Sequence, residues 1–183
     1  MSILDGRQVK IQILKELKEK LLKLNESIGL VVIQIGDDAA SSVYVRQKNK
    51  MATDLNYKFQ HIKLPSNIKE DELLKIIENL NNDDAVDGIL VQMPIPKHLD
   101  ANKVQNSILS CKDVDGLTDI NAGMLVHNKD GLIPCTPMGI IDLLDHYNIP
   151  IEGKNVVIIG RSNLVGKPLA NLMTNKNATV TLC

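Results

Sequence analysis

The chain has 183 residues, of which 44% are hydrophobic, 23% are charged and 2% are aromatic, and its formal net charge is −1. A chain of this length and composition is an ordinary globular protein with one domain or slightly more. The near-neutral charge, the lack of a basic block and the scarcity of aromatic rings argue against a nucleic-acid-binding protein.

The sequence gives no sign of secretion, membrane insertion or a metal centre. No apolar run approaches the length that crosses a membrane, and Asp5 and Arg7 interrupt the apolar residues at the N-terminus. The cysteines are odd in number and far apart, which favours a reducing, cytoplasmic location, and none has metal-ligand spacing with a histidine. These cysteines are Cys111, Cys135 and Cys183.

Helices and strands alternate through the first half of the chain. Asp5-Gly-Arg-Gln8 resembles a capping box, and apolar residues at every third or fourth position then predict an amphipathic helix ending near Asn25. Ser66 or Asn67 is the expected cap of a third helix, whose apolar stripe is Leu73, Ile76, Ile77 and Leu80. Between these two helices the pattern predicts a strand over 30–35, a helix over 39–55 and a strand over 58–64.

The second half continues the alternation. The pattern predicts a strand over 86–91, a proline-broken loop over 92–96, a short helix over 101–109, a turn-rich segment over 112–116 and a helix ending near 148–150. Thr136 is the expected N-cap of this last helix, with Pro137 at its first helical position. Strands that alternate with helices indicate an α/β fold with parallel sheets and right-handed crossovers.

The stretch 153–168 is typical of a phosphate-binding turn. Residues 156–159 predict a short buried parallel strand, Gly160 turns the chain, and Gly166 opens a helix that runs to about residue 175. The N-terminus of such a helix binds phosphate well, because backbone N–H groups and the helix dipole converge there. Ser162 and Val165 occupy the places of the later glycines in G-x-G-x-x-G, so an ordinary strand-to-helix corner fits this stretch equally.

Ligands of an open parallel sheet bind beyond the carboxyl ends of its strands, and three predicted loops there carry polar side chains. After the strand over 30–35, Ser41, Tyr44 and Lys48 fall on one helix face at i, i+3 and i+7. Met51 continues this face, so it points toward the protein body. Lysine is rarely buried without a function or a partner, so a functional role is one interpretation of Lys48. The other is a lysine whose aliphatic stem lies on the core while its ammonium group lies in water.

The other two loops follow later in the chain. Gln92 lies directly after the strand over 86–91, and the prolines of 92–96 suit presentation of its amide, although a plain loop explains them equally. Asp113 and Asp115 are one residue apart, which fits a metal site, an acid–base pair or a turn. Without a third ligand at suitable spacing, the turn is the favoured interpretation.

Six segments of the chain carry a family pattern in order and in register. They are Ile35-Gly-Asp-Asp38 with Ser41-x-x-Tyr44-x-x-x-Lys48, Asp87-Gly-Ile-Leu-Val-Gln-Met-Pro-Ile-Pro96, Lys112-Asp-Val-Asp-Gly-Leu-Thr118, Asn121-Ala-Gly123, Pro134-Cys-Thr-Pro-Met-Gly139 and Gly160-Arg-Ser-Asn-Leu-Val-Gly166. From about residue 4 to its last residue, the chain resembles the bifunctional methylenetetrahydrofolate dehydrogenase/cyclohydrolase family. The resemblance implies a parallel-sheet α/β catalytic domain, residues 1–150, followed by the first part of a Rossmann-type NAD(P)-binding domain, residues 151–183.

The resemblance also implies an activity and the residues that perform it. The expected enzyme oxidises 5,10-methylenetetrahydrofolate with NADP and hydrolyses the methenyl product to 10-formyltetrahydrofolate. Lys48 is implied as the general acid/base group at the folate, and Gln92 as the residue that hydrogen-bonds the lysine. Tyr44 is implied to pack on the pterin or its neighbouring ring, Ser41 to belong to the substrate-binding set, and Asp115 to anchor the pterin. Lys48, Gln92 and Asp115 are thus the expected catalytic residues, and Gln92 also counts with the substrate-binding ones.

NADP is the cofactor that the resemblance implies. Cys135 and Thr136 are expected to line the site near the nicotinamide end, while Gly160, Arg161, Ser162 and Gly166 meet the phosphates. An arginine at this turn fits a 2′-phosphate, which favours NADP over NAD. Tetrahydrofolate derivatives are the expected ligands, a homodimer is the expected assembly, and no metal, nucleic acid or membrane is expected as a partner.

The sequence departs from the family where it stops. Chains of this family normally continue well beyond the strand in which this sequence ends, so we expect a fragment of a longer protein or a truncated form. A partial nucleotide-binding fold would leave an open sheet edge and an uncovered apolar face. Two alternatives therefore stay open: another two-domain NAD(P) dehydrogenase with a shikimate-dehydrogenase-like layout, or a fragment that binds folate without turnover.

Overall fold

The computed structural model describes residues 3–24 and 27–183, and their fold is α/β, as predicted. The helices of these residues are α1 (Gly6–Leu24), α2 (Ala39–Asp54), α3 (Glu70–Asn81), α4 (Ala101–Asn106), α5 (Asp119–Val126), α6 (Cys135–His146) and α7 (Gly166–Asn175). The strands are β1 (Gly29–Ile35), β2 (Lys58–Leu64), β3 (Gly88–Val91), β4 (Asn155–Ile158) and β5 (Thr179–Leu182). No helix within the described ranges is long and apolar enough to cross a bilayer.

The chain forms two compact units, which we name by their sheets. The three-stranded unit contains residues 21–114, and the two-stranded unit contains residues 115–183 together with the start of the chain up to Lys20. This division falls at a different place from the predicted boundary near residue 150. The domain limits 1–150 and 151–183 stay a prediction.

The sheet of the three-stranded unit is parallel and has the order β2-β1-β3, so β1 is its central strand. Side chains of β1 alternate between two sides because a strand has a period of two residues. Val31 and Ile33 pack into a cluster with Leu73 and Ile77 of α3. On the other side, Val32 packs with Val45 of α2 and Leu90 of β3. Helices therefore cover both faces of β1, which explains its nearly continuous apolar sequence.

The two-stranded unit contains the parallel pair β4-β5 with α7 between the strands, as predicted. Ile158 at the end of β4 is buried in a cluster with Leu169 and Leu172 of α7. The prediction that residues 156–159 are buried is wrong for one side of the strand, since Val157 and Ile159 are 63% and 91% exposed. Because strand side chains alternate, these two point away from the cluster that covers Ile158.

Local sequence explains where most helices stop. Asparagine follows α2, α5, α6 and α7 in the left-handed conformation, a conformation that asparagine tolerates better than most residues. These residues are Asn56, Asn128, Asn148 and Asn177, with φ between 50° and 62°. The predicted end of α1 at Asn25 lies outside the described residues.

Two predicted helix starts are wrong and one helix was missed. α3 begins at Glu70, after Lys69, and not after Ser66 or Asn67; its first turn is Glu-Asp-Glu, which the helix dipole favours. α6 begins at Cys135, so Thr136 and Pro137 lie inside its first turn and not at its cap. The pattern gave no helix over 119–126, where α5 forms with the Thr118 hydroxyl accepting from the backbone N–H of Asn121.

Candidate active site

The start of α2 is fixed by a side-chain cap. The Asp38 carboxylate accepts a hydrogen bond of 2.7 Å from the backbone N–H of Ser41, and this bond holds the pKa of Asp38 below its ordinary value. Ser41 is buried, as is Val45 one turn further on. Lys48 follows on the same side and is half-buried, whereas the Tyr44 side chain is 59% exposed. The capped helix therefore carries a lysine at the edge of the core and an aromatic ring at the surface.

Gln92 meets Lys48 from the neighbouring loop. Its backbone N–H donates to the carbonyl of Ile33 at 2.8 Å, so the residue continues the ladder between β3 and β1. The side-chain Oε1 accepts from Lys48 Nζ at 2.9 Å, and Nε2 donates to the carbonyl of Met93 at 2.8 Å. Ser41 Oγ donates to the same Met93 carbonyl at 3.4 Å. Ser41, Lys48 and Gln92, predicted separately on two loops, thus lie together.

The lysine head group has a fixed protein partner, and the role of Lys48 stays a prediction. That partner is a neutral amide, so it orients the Lys48 head group by a hydrogen bond and not by an ion pair. A nitrogen held in this way, next to the surface, can transfer a proton or contact an anionic group of a ligand. Within the described residues no group of three or more His, Cys, Asp or Glu side chains could hold a metal ion.

The segment 112–114 is held firmly within the three-stranded unit. Lys112 Nζ donates to the carbonyl of Asp83, at 2.8 Å, just beyond α3. Asp113 is fully buried, accepts from Gln105 Nε2 at 3.2 Å and forms a parallel bridge with Ile89 of β3. Asp113 is therefore a carboxylate of the protein interior. Asp115, in the two-stranded unit, is half-buried.

The turn from β4 to α7 has the geometry of a phosphate-binding turn. Gly160 has φ +116°, and a Cβ on Gly166 would lie 1.9 Å from the carbonyl oxygen of Gly160, so both positions require glycine. Ser162 Oγ accepts from the backbone N–H of Val165 at 3.1 Å, which closes the loop before the helix. The Arg161 side chain is exposed beside this turn. A helix N-terminus with a close glycine contact and an exposed guanidinium fits a dinucleotide diphosphate.

Cys135 and Thr136 occupy the first turn of α6 and are exposed, in the same unit as this turn. Pro137, next to them, is buried, so the first turn of α6 has one side packed in the protein and another side open to solvent. Their position is compatible with contact to a ligand, and their predicted role at the nicotinamide end stays a prediction.

One polar residue near the site was missed from the sequence. Gln34 is 2% exposed in the central strand β1, and its side chain bonds to the start of α2. The available signal was a single amide in the otherwise apolar stretch 30–35, directly before the strand-ending pair Ile35-Gly36.

Comparisons with known proteins agree along the whole chain. Residues 4–115 match the family model described as tetrahydrofolate dehydrogenase/cyclohydrolase, catalytic domain, and residues 134–183 match the NAD(P)-binding domain of the same family. The bifunctional protein FolD of Ligilactobacillus salivarius is 48% identical over 184 residues, which cover 99% of this chain and 65% of that protein. The chain thus spans about 65% of the length of this curated relative.

Solved structures are also similar to this chain. The bifunctional FolD enzyme, a methylenetetrahydrofolate dehydrogenase/cyclohydrolase, from Campylobacter jejuni is 44% identical with a TM-score of 0.97; the match covers 100% of this chain and 66% of that one. The methylenetetrahydrofolate dehydrogenase-cyclohydrolase of Trypanosoma brucei, solved with an NADP cofactor and an inhibitor, is 34% identical with a TM-score of 0.93. That match covers 99% of this chain and 63% of the Trypanosoma chain.

Proposed function

The chain belongs to the tetrahydrofolate dehydrogenase/cyclohydrolase family, and from this premise we propose that its protein performs both reactions of the family. It oxidises 5,10-methylenetetrahydrofolate to the 5,10-methenyl compound with NADP, and it hydrolyses that compound to 10-formyltetrahydrofolate. The observation that carries the proposal is the 2.9 Å bond from Lys48 Nζ to Gln92 Oε1, because it presents a proton-transfer group at the carboxyl edge of the sheet.

In the hydrolytic step, Lys48 moves the protons. A water molecule attacks the methenyl carbon, and the neutral amine form of Lys48 takes a proton from the water as the carbon–oxygen bond forms. The same nitrogen then returns that proton to the folate nitrogen that leaves this carbon, while the remaining hydroxyl proton passes to solvent as the formyl carbonyl forms. Gln92 holds Lys48 in the orientation that both transfers need, since its own amide is fixed by the Met93 carbonyl.

Substrate binding falls to one aromatic, one hydroxyl and one carboxylate side chain. The exposed Tyr44 ring offers an aromatic surface on which the pterin or the neighbouring ring packs. Ser41 belongs to the same set because its hydroxyl bonds to Met93 beside Gln92. Asp115 anchors the pterin, whose ring nitrogens are good donors to a carboxylate.

The dinucleotide is held by the two-stranded unit. Gly160, Ser162 and Gly166 shape the turn that receives the diphosphate, and the exposed Arg161 side chain favours the 2′-phosphate of NADP. Cys135 and Thr136 lie toward the nicotinamide. When bound, NADP supplies the redox chemistry by accepting a hydride from the methylene carbon. The protein's own contribution is to align the folate with the cofactor and to exclude water.

Three further statements belong to the same proposal. The protein is a homodimer in the cytoplasm, and residues 1–150 form its catalytic domain while residues 151–183 begin its NADP-binding domain. A cytoplasmic location is supported by the odd number and wide spacing of the cysteines in the sequence.

The test compares Lys48→Met with Lys50→Met, a change at an exposed lysine on the same helix. We expect Lys48→Met to lose most hydrolysis of the methenyl compound while its dissociation constant for the folate changes little. Lys50→Met should behave like the unchanged chain. Hydrolysis by Lys48→Met at the unchanged rate would exclude the proton-transfer role. Folate binding by the unchanged chain without either reaction would support the alternative of a binding fragment.

A further inference from the structure

Gln34 is a buried polar residue in a strand whose other buried residues are apolar. It is 2% exposed and lies in β1 between the core residues Ile33 and Ile35. Side-chain alternation places it on the same side of the strand as Val32, which packs against Val45 of α2. A buried amide costs free energy unless its groups are hydrogen-bonded, so its contacts are informative.

The amide of Gln34 binds the first turn of α2. Its Nε2 donates to Ser42 Oγ at 3.0 Å and to the carbonyl of Gly36 at 3.4 Å. Ser42 Oγ donates in turn to the carbonyl of Asp38 at 3.0 Å, so the hydroxyl is both acceptor and donor. One buried side chain thus joins the end of β1, the connecting loop and the start of α2.

Gln34 and Gln92 are neighbours across the sheet. Ile33 pairs with Val91 in the register of β1 and β3, and the backbone N–H of Gln92 bonds to the carbonyl of Ile33. Gln34 therefore lies beside Gln92 at the next step of the register, and both point toward α2. Gln34 bonds to α2 at Ser42, and Gln92 bonds to it at Lys48, six residues later. These two contacts, six residues apart on α2, restrain both the rotation of the helix about its axis and its position along that axis.

We propose that Gln34 is a positioning residue for Lys48. It holds the start of α2 so that Lys48, nearly two turns further along, meets Gln92 in a single orientation. Gln34 acts through Ser42 and the helix, and it does not touch the substrate. The effect on kcat rests on the proposed function, whereas the effect on the start of α2 does not. The two effects are measured separately.

The structural arm uses amide hydrogen exchange on the ligand-free chain. Gln34→Met keeps the length of the side chain and removes both donors, so the first-turn amides of α2 should exchange about tenfold faster. The amide of Ser42, bonded to the carbonyl of Asp38, is the main reporter. Amides of α3 should keep their exchange rates. Gln60→Met, at an exposed glutamine of β2, is the matched control and should change neither helix.

The kinetic arm measures hydrolysis of the methenyl compound by the same variants. Gln34→Met should lower kcat about tenfold with little change in KM, because the substrate contacts stay in place. Ser42→Ala removes the acceptor of the same bond, and the double variant should lose no more than the larger single loss. A purely stabilising role predicts uniform acceleration of exchange and an unchanged kcat.

The outcomes distinguish failure of the positioning role of Gln34 from failure of the proposed function. Faster exchange confined to the start of α2, together with the loss in kcat, supports the proposal. Unchanged exchange at Ser42, or equal acceleration throughout the three-stranded unit, overturns it whatever the kinetics. If the unchanged chain hydrolyses no folate, the proposed function fails, while the exchange result still decides whether Gln34 fixes α2.

Discussion

Gln92→Met is the sharpest test of how the candidate site is organised. The substitution keeps an unbranched side chain of similar length but removes the acceptor that lies 2.9 Å from Lys48 Nζ. It also removes the donor to the Met93 carbonyl. The side chain of Lys48 then has no partner that selects one of its many rotamers, so its nitrogen spends less time where the substrate is.

The size of the effect follows from the kind of bond that is lost. A side-chain hydrogen bond contributes about 0.5–1.5 kcal/mol net, and we use the upper value because the pair is half-buried. If the hydrogen bond stabilises the transition state by this amount through the orientation of Lys48, its loss lowers kcat for hydrolysis about tenfold. We expect kcat to fall more than KM rises, because the lost contact orients a catalytic group within the protein.

The assay follows the decay of the methenyl absorbance under saturating substrate. Gln47→Met, at an exposed residue next to Lys48, is the control and should keep the unchanged kcat. Gln92→Glu retains an acceptor for Lys48 but loses the donor to Met93, so its kcat should lie between those of Gln92→Met and the unchanged chain. Equal kcat values for Gln92→Met and Gln47→Met would refute the orienting role.

Three further predictions concern stability and cofactor binding. Ile158→Ala should lower the free energy of unfolding in urea by about 2–5 kcal/mol, whereas Ile159→Ala, at a residue that is 91% exposed, should change it by less than about 0.5 kcal/mol. Gly166→Ala should weaken NADP binding, measured by titration, since its Cβ would lie 1.9 Å from a backbone oxygen; Gly139→Ala meets open space and should not. The lowered pKa of Asp38 means that its stabilising effect is present above the ordinary carboxyl pKa and is lost as the pH falls through the lowered value. The stability difference between Asp38→Ala and the unchanged chain should therefore stay constant from about pH 7 down to the ordinary carboxyl pKa of about 3.9 and shrink as the pH falls below it.

The sequence predicted best those elements whose ends carry their own chemical signal. β2 and α7 have the predicted bounds, and α2 starts at the predicted residue because Asp38 caps it. Its end at Asp54 is one residue from the prediction, and Asn56 adopts the left-handed conformation just beyond. Where no such signal exists, the prediction failed. α3 has no side-chain cap, so its start could not be read from Ser66 or Asn67.

Burial on one side of β4 could not be predicted for a different reason. The run Val156–Ile159 is apolar throughout, and local sequence does not say which neighbours cover each side of a strand. Ile158 is buried because α7 packs over it, and Ile159 is exposed because no described element covers its side. Periodicity is a property of the strand, whereas burial depends on its tertiary neighbours.

The contact between Lys48 and Gln92 is a consequence of the sheet topology. The spacing of residues along the sequence could therefore not predict it. The two residues are 44 positions apart, and they meet because β1 and β3 are adjacent, parallel strands. The chain leaves both strands at the same edge of the sheet, into α2 after β1 and into the loop of Gln92 after β3. Since the register pairs Ile33 with Val91, a slip of one residue would turn Gln92 to the other side of the sheet. The geometry of the lysine therefore depends on the register of two strands as much as on the residues that touch it.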